Sequence, residues 1–240
     1  MNFLVDTSRR SSKTELMDDF SLKGAMIRDT LDKLETLNRL LGGNTTILKA
    51  LETLLKKQSK IKPIIIVDLG CGHGDILRDV AKFGRKNNYL FKLIGIDANA
   101  AAVDYARELS KAYPELTFKA LDVFSEDFKK QTYDIMVSNL FLHHFKDRQL
   151  RLLLKQGIQK ATIGTIINDL HRHRLAYYLF KFAGLFISNK MVVNDGLISI
   201  LKAFKRNELE TISSQIHAQF TIQWKWAFRY LWILKKIPIA

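Results

Sequence analysis

Cysteine and proline are scarce in this chain of 240 residues, which contains one cysteine and three prolines. A single cysteine excludes an intramolecular disulfide framework and any zinc site built from cysteines, and we predict no metal site. The three prolines and 12 glycines exclude collagen-like and low-complexity architectures. Because 47% of the residues are hydrophobic and 26% are charged, the composition is that of a folded globular protein.

The chain also lacks a long hydrophobic run. Its best stretch, residues 175–187, is too short to span a bilayer and is interrupted by Lys181. The N-terminal residues 1–15 lack the apolar core that a signal peptide requires. We therefore expect a soluble, cytoplasmic protein.

Negative charge is scarce in the second part of the chain. The formal net charge is +14, and residues 145–240 contribute +11 of it, from 16 basic and 5 acidic residues. Such a surplus is typical of a solvated basic surface, and it also favours nucleic acid, anionic lipid or an acidic partner. The charge alone leaves the choice among these partners open.

Helical spacing dominates the first 60 residues. Apolar residues recur every three or four positions over residues 14–41, and a second helix is predicted from the caps at 44–46 to about Lys57. These helices are too small for an independent core. We therefore predict that residues 1–60 form a helical cover on the domain that follows.

From residue 63, apolar runs alternate with helical stretches, a pattern typical of parallel strands buried on both faces. This predicts a Rossmann-like, doubly wound α/β domain over residues 61–240. Two late strands, 217–226 and 229–234, predict an antiparallel C-terminal hairpin. The alternation lapses after the fifth run, and we interpret residues 171–204 as an inserted lid. The five runs are 64–67, 91–96, 116–121, 133–137 and 162–167.

The most informative segment is DLGCGHGD at residues 68–75, a G-x-G-x-G turn between a strand and a helix. A dinucleotide fingerprint would place its third glycine at position 75, which is Asp75. Carboxylates at Asp68 and Asp75 would repel a pyrophosphate and suit a cationic ligand, and S-adenosylmethionine carries an ammonium and a sulfonium. Asp97, at the end of the second run, can accept both ribose hydroxyls. Asp122, at the end of the third, suits the adenine amino group.

Four segments, in this order, resemble the class I S-adenosylmethionine-dependent methyltransferases: DLGCGHG, GIDANAAAVDYARE, ALDVF and YDIMVSNLFLHHF. The resemblance covers about residues 62–170, and it implies S-adenosyl-L-methionine as cofactor. The N-terminal helices and the run after Asn168 also resemble bacterial small-molecule methyltransferases of the polyketide or phenolic-lipid type. The cofactor-binding positions that the resemblance and the loop chemistry indicate are Asp68, Gly70, Cys71, Gly72, Gly74, Asp97, Ala98, Asp122, Val123 and Asn139.

A hydroxyl acceptor needs a general base, and histidine titrates in the useful range. His143 and His144 follow the fourth strand, and His171 follows the fifth, so all three are candidates at the edge where ligands bind. His144 is the preferred base, since related small-molecule methyltransferases often carry a histidine at this place. Asp169 is predicted to orient a base or the acceptor.

These observations predict transfer of a methyl group to a small, apolar acceptor, most simply a phenolic or enolic oxygen. The alternatives are carbon methylation of a quinone-like ring, RNA methylation, suggested by the basic half, and a non-catalytic cofactor-binding scaffold. Nucleic acid is disfavoured, because residues 138–142 (SNLFL) lack the Pro-Pro motif that amino-methylating relatives carry after the fourth strand.

The predicted lid combines large apolar residues with positive charge. Residues 175–186 contain eight large apolar or aromatic side chains, flanked by four cations. This composition is typical of an interfacial helix, so we hypothesise peripheral contact with an anionic membrane. The competing interpretation buries the apolar side chains against the sheet. The four cations are Arg172, Arg174, Lys181 and Lys190.

Overall fold

The protein is described by a computed structural model that covers residues 4–237 and contains a seven-stranded sheet flanked by helices. The strands are β1 (Ile64–Leu69), β2 (Phe91–Asp97), β3 (Leu116–Ala120), β4 (Ile135–Asn139), β5 (Gly164–Leu170), β6 (Ala218–Lys225) and β7 (Arg229–Lys236). The α-helices are α1 (Ala25–Leu40), α2 (Gly43–Leu55), α3 (Asp75–Asn87), α4 (Ala100–Leu109), α5 (Glu126–Lys129), α6 (Asp147–Lys160), α7 (Arg174–Ala183), α8 (Lys190–Lys202) and α9 (Arg206–Gln215). Short 3-10 turns lie at Leu16–Asp18, Leu142–His144 and Gly184–Phe186.

The strand order is β3-β2-β1-β4-β5-β7-β6. Strands β1 to β5 pair in parallel, whereas β7 runs antiparallel to both β5 and β6. The predicted Rossmann-like sheet with an antiparallel C-terminal hairpin is therefore confirmed. Because the chain winds in opposite directions from β1, a crevice is expected at the carboxyl ends of β1 and β4.

Helices cover both faces of the sheet, which explains the uninterrupted apolar runs of its strands. On one face, Leu51 of α2 and Leu77 of α3 are fully buried against the strands. On the other, Leu154 of α6 and Leu209 of α9 are buried in a second cluster. The two clusters fix the strand ends that carry the predicted site.

The helix predicted over residues 14–41 is wrong in its first part, because α1 begins only at Ala25. Gly24 precedes it with φ of +74°, a conformation that interrupts a right-handed helix. Apolar spacing was misleading here, since Leu16 and Phe20 are exposed. Residues 4–23, which we call the strap, instead run along α8 and the end of β4. The division at residue 60 stays a prediction.

The segment after β5 contains more helix than the pattern predicts. It forms α7, a 3-10 turn and α8, and α8 buries Val192 and Ile200. The pattern missed α8 although a polar break, Ser188 to Lys190, precedes it and the Asn189 side chain caps it by accepting the Val192 N–H. Among residues 4–237, no helix is long and apolar enough to cross a membrane.

Candidate functional site

The glycine loop turns the chain from β1 into α3. Gly70 and Gly74 have φ of +68° and +80°, which side-chain-bearing residues rarely adopt. The backbone N–H groups of Gly70 and Cys71 donate to the Ile96 carbonyl at 2.9 and 3.1 Å. A Cβ on Gly70 would lie 2.3 Å from the Phe141 ring, so packing also requires glycine. The loop is thereby fixed against β2 and the segment after β4.

Asp97 ends β2 beside this loop. Its Oδ2 accepts the Gly72 N–H at 2.9 Å, and its Oδ1 accepts the Asn99 N–H at 2.9 Å across Ala98. Burial raises the pKa of Asp97, while these N–H groups act in the opposite direction. Each carboxylate oxygen keeps a lone pair for a ligand hydroxyl. Cys71, within the loop, is buried, and burial raises the pKa of its thiol, which opposes formation of a nucleophilic thiolate.

A row of polar side chains follows the carboxyl ends of β1, β4 and β5. The sheet register places Asp68, Asn139 and Asn168 on the same face, and Asn168 Nδ2 donates to Asn139 Oδ1 at 2.7 Å. Oδ1 of Asp68 and Oδ1 of Asn168 are buried and have no hydrogen-bond partner within residues 4–237. Burial, then the charges of Asp75 and Asp97, raise the pKa of Asp68. A bound cation with N–H donors would satisfy this row.

Arg229 adds a buried cation to the same edge, and sequence reasoning missed it because no local motif marks it. It starts β7 opposite Leu170 and is 2% exposed. Its Nη1 donates to Asn38 Oδ1 at 3.1 Å, whereas its Nε has no partner in the described part of the chain. Burial lowers the pKa of Arg229 to about 10, against the opposing effect of Asp169.

The third predicted acid, Asp122, follows β3 at the same edge, since Ala120 pairs with Asp97. Asp122 is exposed, and its Oδ1 accepts the Phe124 N–H at 2.8 Å. Val123 is buried beside it. The ten predicted cofactor positions thus lie on consecutive strand ends.

His143 lies in the 3-10 turn after β4, where it is fully buried and bonded to Asp169. Nδ1 of His143 lies 2.7 Å from Asp169 Oδ1, and the His143 backbone N–H donates to Asp169 Oδ2 at 3.2 Å. Burial alone would lower the pKa of His143, but the charge and hydrogen bond of Asp169, with Glu15, raise it. Its Nε2 has no hydrogen-bond partner among the described residues and lies 3.7 Å from Glu15 Oε1.

His144 lies nearer the solvent and is held by the strap. Its Nδ1 is 2.7 Å from Asp18 Oδ1, and its Nε2 is 3.7 Å from Glu15 Oε2. Burial would raise the pKa of Asp18, but the hydrogen bond and charge of His144 lower it. Lys202 of α8 completes the cluster, with Nζ 3.2 Å from Glu15 Oε1 and 3.3 Å from Asp18 Oδ2.

The strap reaches this place because α8 binds it. The Asp195 carboxylate accepts the backbone N–H groups of Leu16 and Met17 at 2.8 and 2.9 Å. Ser199 Oγ donates to Glu15 Oε2 at 2.8 Å, and Glu15 is 5% exposed. Sequence reasoning missed Glu15, since a carboxylate in a presumed surface helix gives no signal.

His171 lies elsewhere at the edge. Its ring packs among His173, Phe228 and Tyr230, with centroids 5.3, 6.2 and 4.8 Å away. Burial is the main cause that lowers the pKa of His171 to about 4. Electrostatic effects of His173, Arg172 and Lys205 act in the same direction. The structure therefore groups Asp169 with His143, and places His171 in an aromatic cluster.

Glu15, His143 and His144 present ligand atoms within 4.8 Å of one another, close enough for a metal ion. The Nδ1 atoms of both rings are held by carboxylates, as in many metal sites. However, the Lys202 ammonium already lies beside the Glu15 carboxylate. An ion-pair network accounts for the cluster without a metal.

Comparisons with known proteins agree with the fold that carries this site. The family described as a methyltransferase domain matches residues 60–236. Among curated proteins, the carboxy-S-adenosyl-L-methionine synthase of a Nitratiruptor species is 22% identical over 144 residues, which is 60% of this chain and 53% of the relative. The chain thus spans about half the length of this relative.

Solved structures share the fold at low identity. The DszA carbon methyltransferase has a TM-score of 0.66 and 14% identity, over 88% of this chain and 58% of its own. The plantazolicin methyltransferase BpumL, in complex with a triazolic desmethylPZN analog and S-adenosylhomocysteine, has a TM-score of 0.63 and 20% identity, over 88% and 90%. Because the family match covers most of this chain, the protein belongs to the methyltransferase domain family and is an S-adenosylmethionine-dependent methyltransferase domain.

Proposed function

We propose that this domain methylates a small, apolar acceptor on a phenolic or enolic oxygen, with His144 as general base. The observation that carries this proposal is the imidazole of His144, whose Nδ1 is fixed by Asp18 at 2.7 Å. With Nδ1 bonded to a carboxylate, the nitrogen that would take a proton is Nε2, which lies 3.7 Å from Glu15 Oε2. Phe141, which packs on Gly70 of the glycine loop, lies 6.1 Å from the His144 ring and links it to the donor side.

When bound, S-adenosylmethionine would supply a methyl group from its sulfonium to the acceptor oxygen, and the carbon–sulfur electron pair would stay on sulfur as a neutral thioether. Asp97 and Asp122 are suited to its ribose and adenine, and Asp68 to its ammonium. Arg229, with its unpartnered Nε, is suited to its carboxylate. During transfer, Nε2 of His144 takes the acceptor proton, while Asp18 stabilises the imidazolium.

An aromatic wall beside His144 supports an apolar acceptor. Phe124, Phe141 and Phe145 are half-buried, and Phe145 meets the other two rings edge-on at 5.3 and 5.0 Å. Such a wall offers ring faces to a planar acceptor. BpumL, which shares this fold, was solved with a desmethylPZN analog, and this also supports a small-molecule acceptor for the present chain.

Carbon methylation of a quinone-like or enolic ring remains the second candidate, because the DszA relative is a carbon methyltransferase. The same base would remove the ring hydroxyl proton, and the ring carbon would then attack. RNA methylation and a silent scaffold are the remaining alternatives.

The test supplies isotope-labelled S-adenosylmethionine and a panel of alkylated phenols, enolic diketones, hydroquinones and RNA. The position of the label in the product distinguishes oxygen from carbon. His144→Gln should lower kcat by about 10²–10⁴-fold while leaving the donor Kd unchanged. His217→Gln, an exposed histidine after α9, is the matched control. Unchanged kcat in His144→Gln would contradict the assignment of the base, and transfer to RNA alone would contradict the acceptor class.

A further inference from the structure

An apolar surface lies on the outside of α7 and the 3-10 turn that follows it. Its residues, Leu175, Leu179, Phe182, Leu185 and Phe186, are between 52% and 79% exposed. Their spacing places them along one side of α7. The interpretation that buries these side chains against the sheet is therefore wrong for this set.

The apolar surface is rigid, because the opposite side of α7 packs on α8. Ala176 is buried, and Phe180 lies against Gly196, where a Cβ would approach its ring to 2.4 Å. Phe182 and Phe186 hold each other at 5.7 Å. A preformed apolar surface needs no ordering before it binds a partner.

The end of the β6–β7 hairpin extends this surface. His173, the residue before α7, stacks on Phe228 at 5.1 Å, and Phe228 meets Trp224 at 6.1 Å. Trp224 and Trp226 are 51% and 73% exposed. Exposed tryptophans beside aliphatic side chains are typical of protein surfaces at the membrane–water interface.

The segments that carry the apolar surface are rich in positive charge, although Asp6 lies near Arg174 and Asp29 accepts from Asn189. Residues 171–194 contain four basic residues and no acidic one, and residues 211–240 contain four more basic residues and again no acidic one. Arg172, which the sequence suggested as one of four cations flanking the lid, does not contribute exposed charge. It is 1% exposed and pairs with Glu208. Arg174, Lys181 and Lys190 are exposed.

We propose that the apolar surface, with Trp224, Trp226 and these three cations, docks on an anionic lipid bilayer. A bilayer offers an apolar layer beneath a negative surface and so complements both features. A second copy of the chain, itself at +14, would bring like charges together. This inference goes beyond the proposed function and does not depend on it, because binding to lipid vesicles is measured without a methyl acceptor.

The test sediments the full chain with phosphatidylcholine vesicles, with and without phosphatidylglycerol, at low and high salt. We expect binding only to the anionic vesicles, weakened by salt, and a blue shift of tryptophan fluorescence as Trp224 and Trp226 enter the interface. Replacing Arg174, Lys181 and Lys190 with Gln should weaken binding about fivefold per charge. Phe182→Ser with Phe186→Ser should remove it.

Matched controls come from equally exposed residues elsewhere. Leu40→Ser with Ile61→Ser removes apolar area that is 75% and 85% exposed, and Lys129→Gln with Lys130→Gln removes exposed charge. Both controls should bind like the unmodified protein. The proposal is overturned by equal binding to neutral and anionic vesicles, by no binding to either, or by equal losses in the controls. It is also overturned if the protein is a dimer that Phe182→Ser with Phe186→Ser dissociates.

Discussion

The carboxyl edge of the sheet has two halves in our proposal, a donor half and an acceptor half, and they are assembled differently. The donor half consists of Asp68, the glycine loop, Asp97 and Asp122, each at the end of a strand or in the turn that follows. Their contacts are short in sequence, such as the 25 residues between Gly72 and Asp97, whereas Arg229, which we propose for the donor carboxylate, bonds Asn38 over 191 residues. In the acceptor half, Glu15 bonds Ser199 over 184 residues, and Asp18 bonds His144 over 126.

This difference separates what is fixed by local geometry from what depends on tertiary packing. A strand that ends in a glycine turn fixes its own ligand groups, because the turn and the strand neighbours determine them. The strap has no regular structure beyond its 3-10 turn, so its position depends on Asp195 and Ser199 of α8. We therefore expect that the two halves can be damaged separately.

The largest effect is expected in the donor half, from Gly70→Val. The new side chain would overlap the Phe141 ring and require a positive φ that valine resists. We expect S-adenosylmethionine binding to weaken more than about 100-fold, measured by calorimetric titration. Gly42→Ala is the control, because Gly42 also has a positive φ of 75° but has open space around it. Equal affinity in both variants would contradict the role of the loop.

The second prediction separates the two ends of the donor. Arg229→Met should weaken S-adenosylmethionine by about 10- to 150-fold, the range for a hydrogen bond to a charged group, and leave methylthioadenosine, which lacks the carboxylate, unchanged. Asp97→Ala should weaken both ligands by a similar factor, since both carry the ribose. Parallel losses for both ligands in Arg229→Met would assign Arg229 to the fold instead.

The third prediction concerns the acceptor half. Asp195→Ala removes the acceptor of the Leu16 and Met17 N–H groups, so this turn of the strap should loosen. The contacts of Glu15 with Ser199 and Lys202 remain. We expect kcat/KM to fall about tenfold, a loss of one charge-assisted contact, with the donor Kd unchanged. Asp19→Ala, at an exposed position in the same strap, should have no effect. A weakened donor Kd in Asp195→Ala would show that the halves are coupled.

The contrast between local and long-range contacts also explains why only part of the molecule could be predicted from the sequence. The sheet, the hairpin and the glycine loop follow from residue patterns within short windows, and the fold was confirmed. Glu15, Lys202 and Arg229 were missed because each is meaningful only through a partner more than 100 residues away. The apolar spacing of Leu16 and Phe20 gave a false helix, since spacing cannot report that Gly24 interrupts it.

The smallest effect is expected at His171, outside both halves. Its pKa is about 4 in the folded protein, below the ordinary value of about 6.5, so the unfolded chain takes up a proton first as the pH falls. Stability should thus be lost between about pH 6.5 and 4, by about 1–2 kcal/mol after allowance for partial exposure. His171→Gln should flatten this part of the curve of unfolding free energy against pH. His217→Gln should not, and identical slopes in all three proteins would contradict the prediction.

The long separation between the strap and α8 also sets an order of events during synthesis. Glu15 emerges 184 residues before Ser199, its partner in the acceptor half. At about 5–20 residues per second, a ribosome needs about 10–40 s to supply that partner. Late in this interval β1 to β5 are complete, while the strap still lacks Asp195 and Ser199. Nascent chains arrested before α8 should therefore form the glycine loop and its contact with Asp97 while Glu15 still lacks its partner on α8.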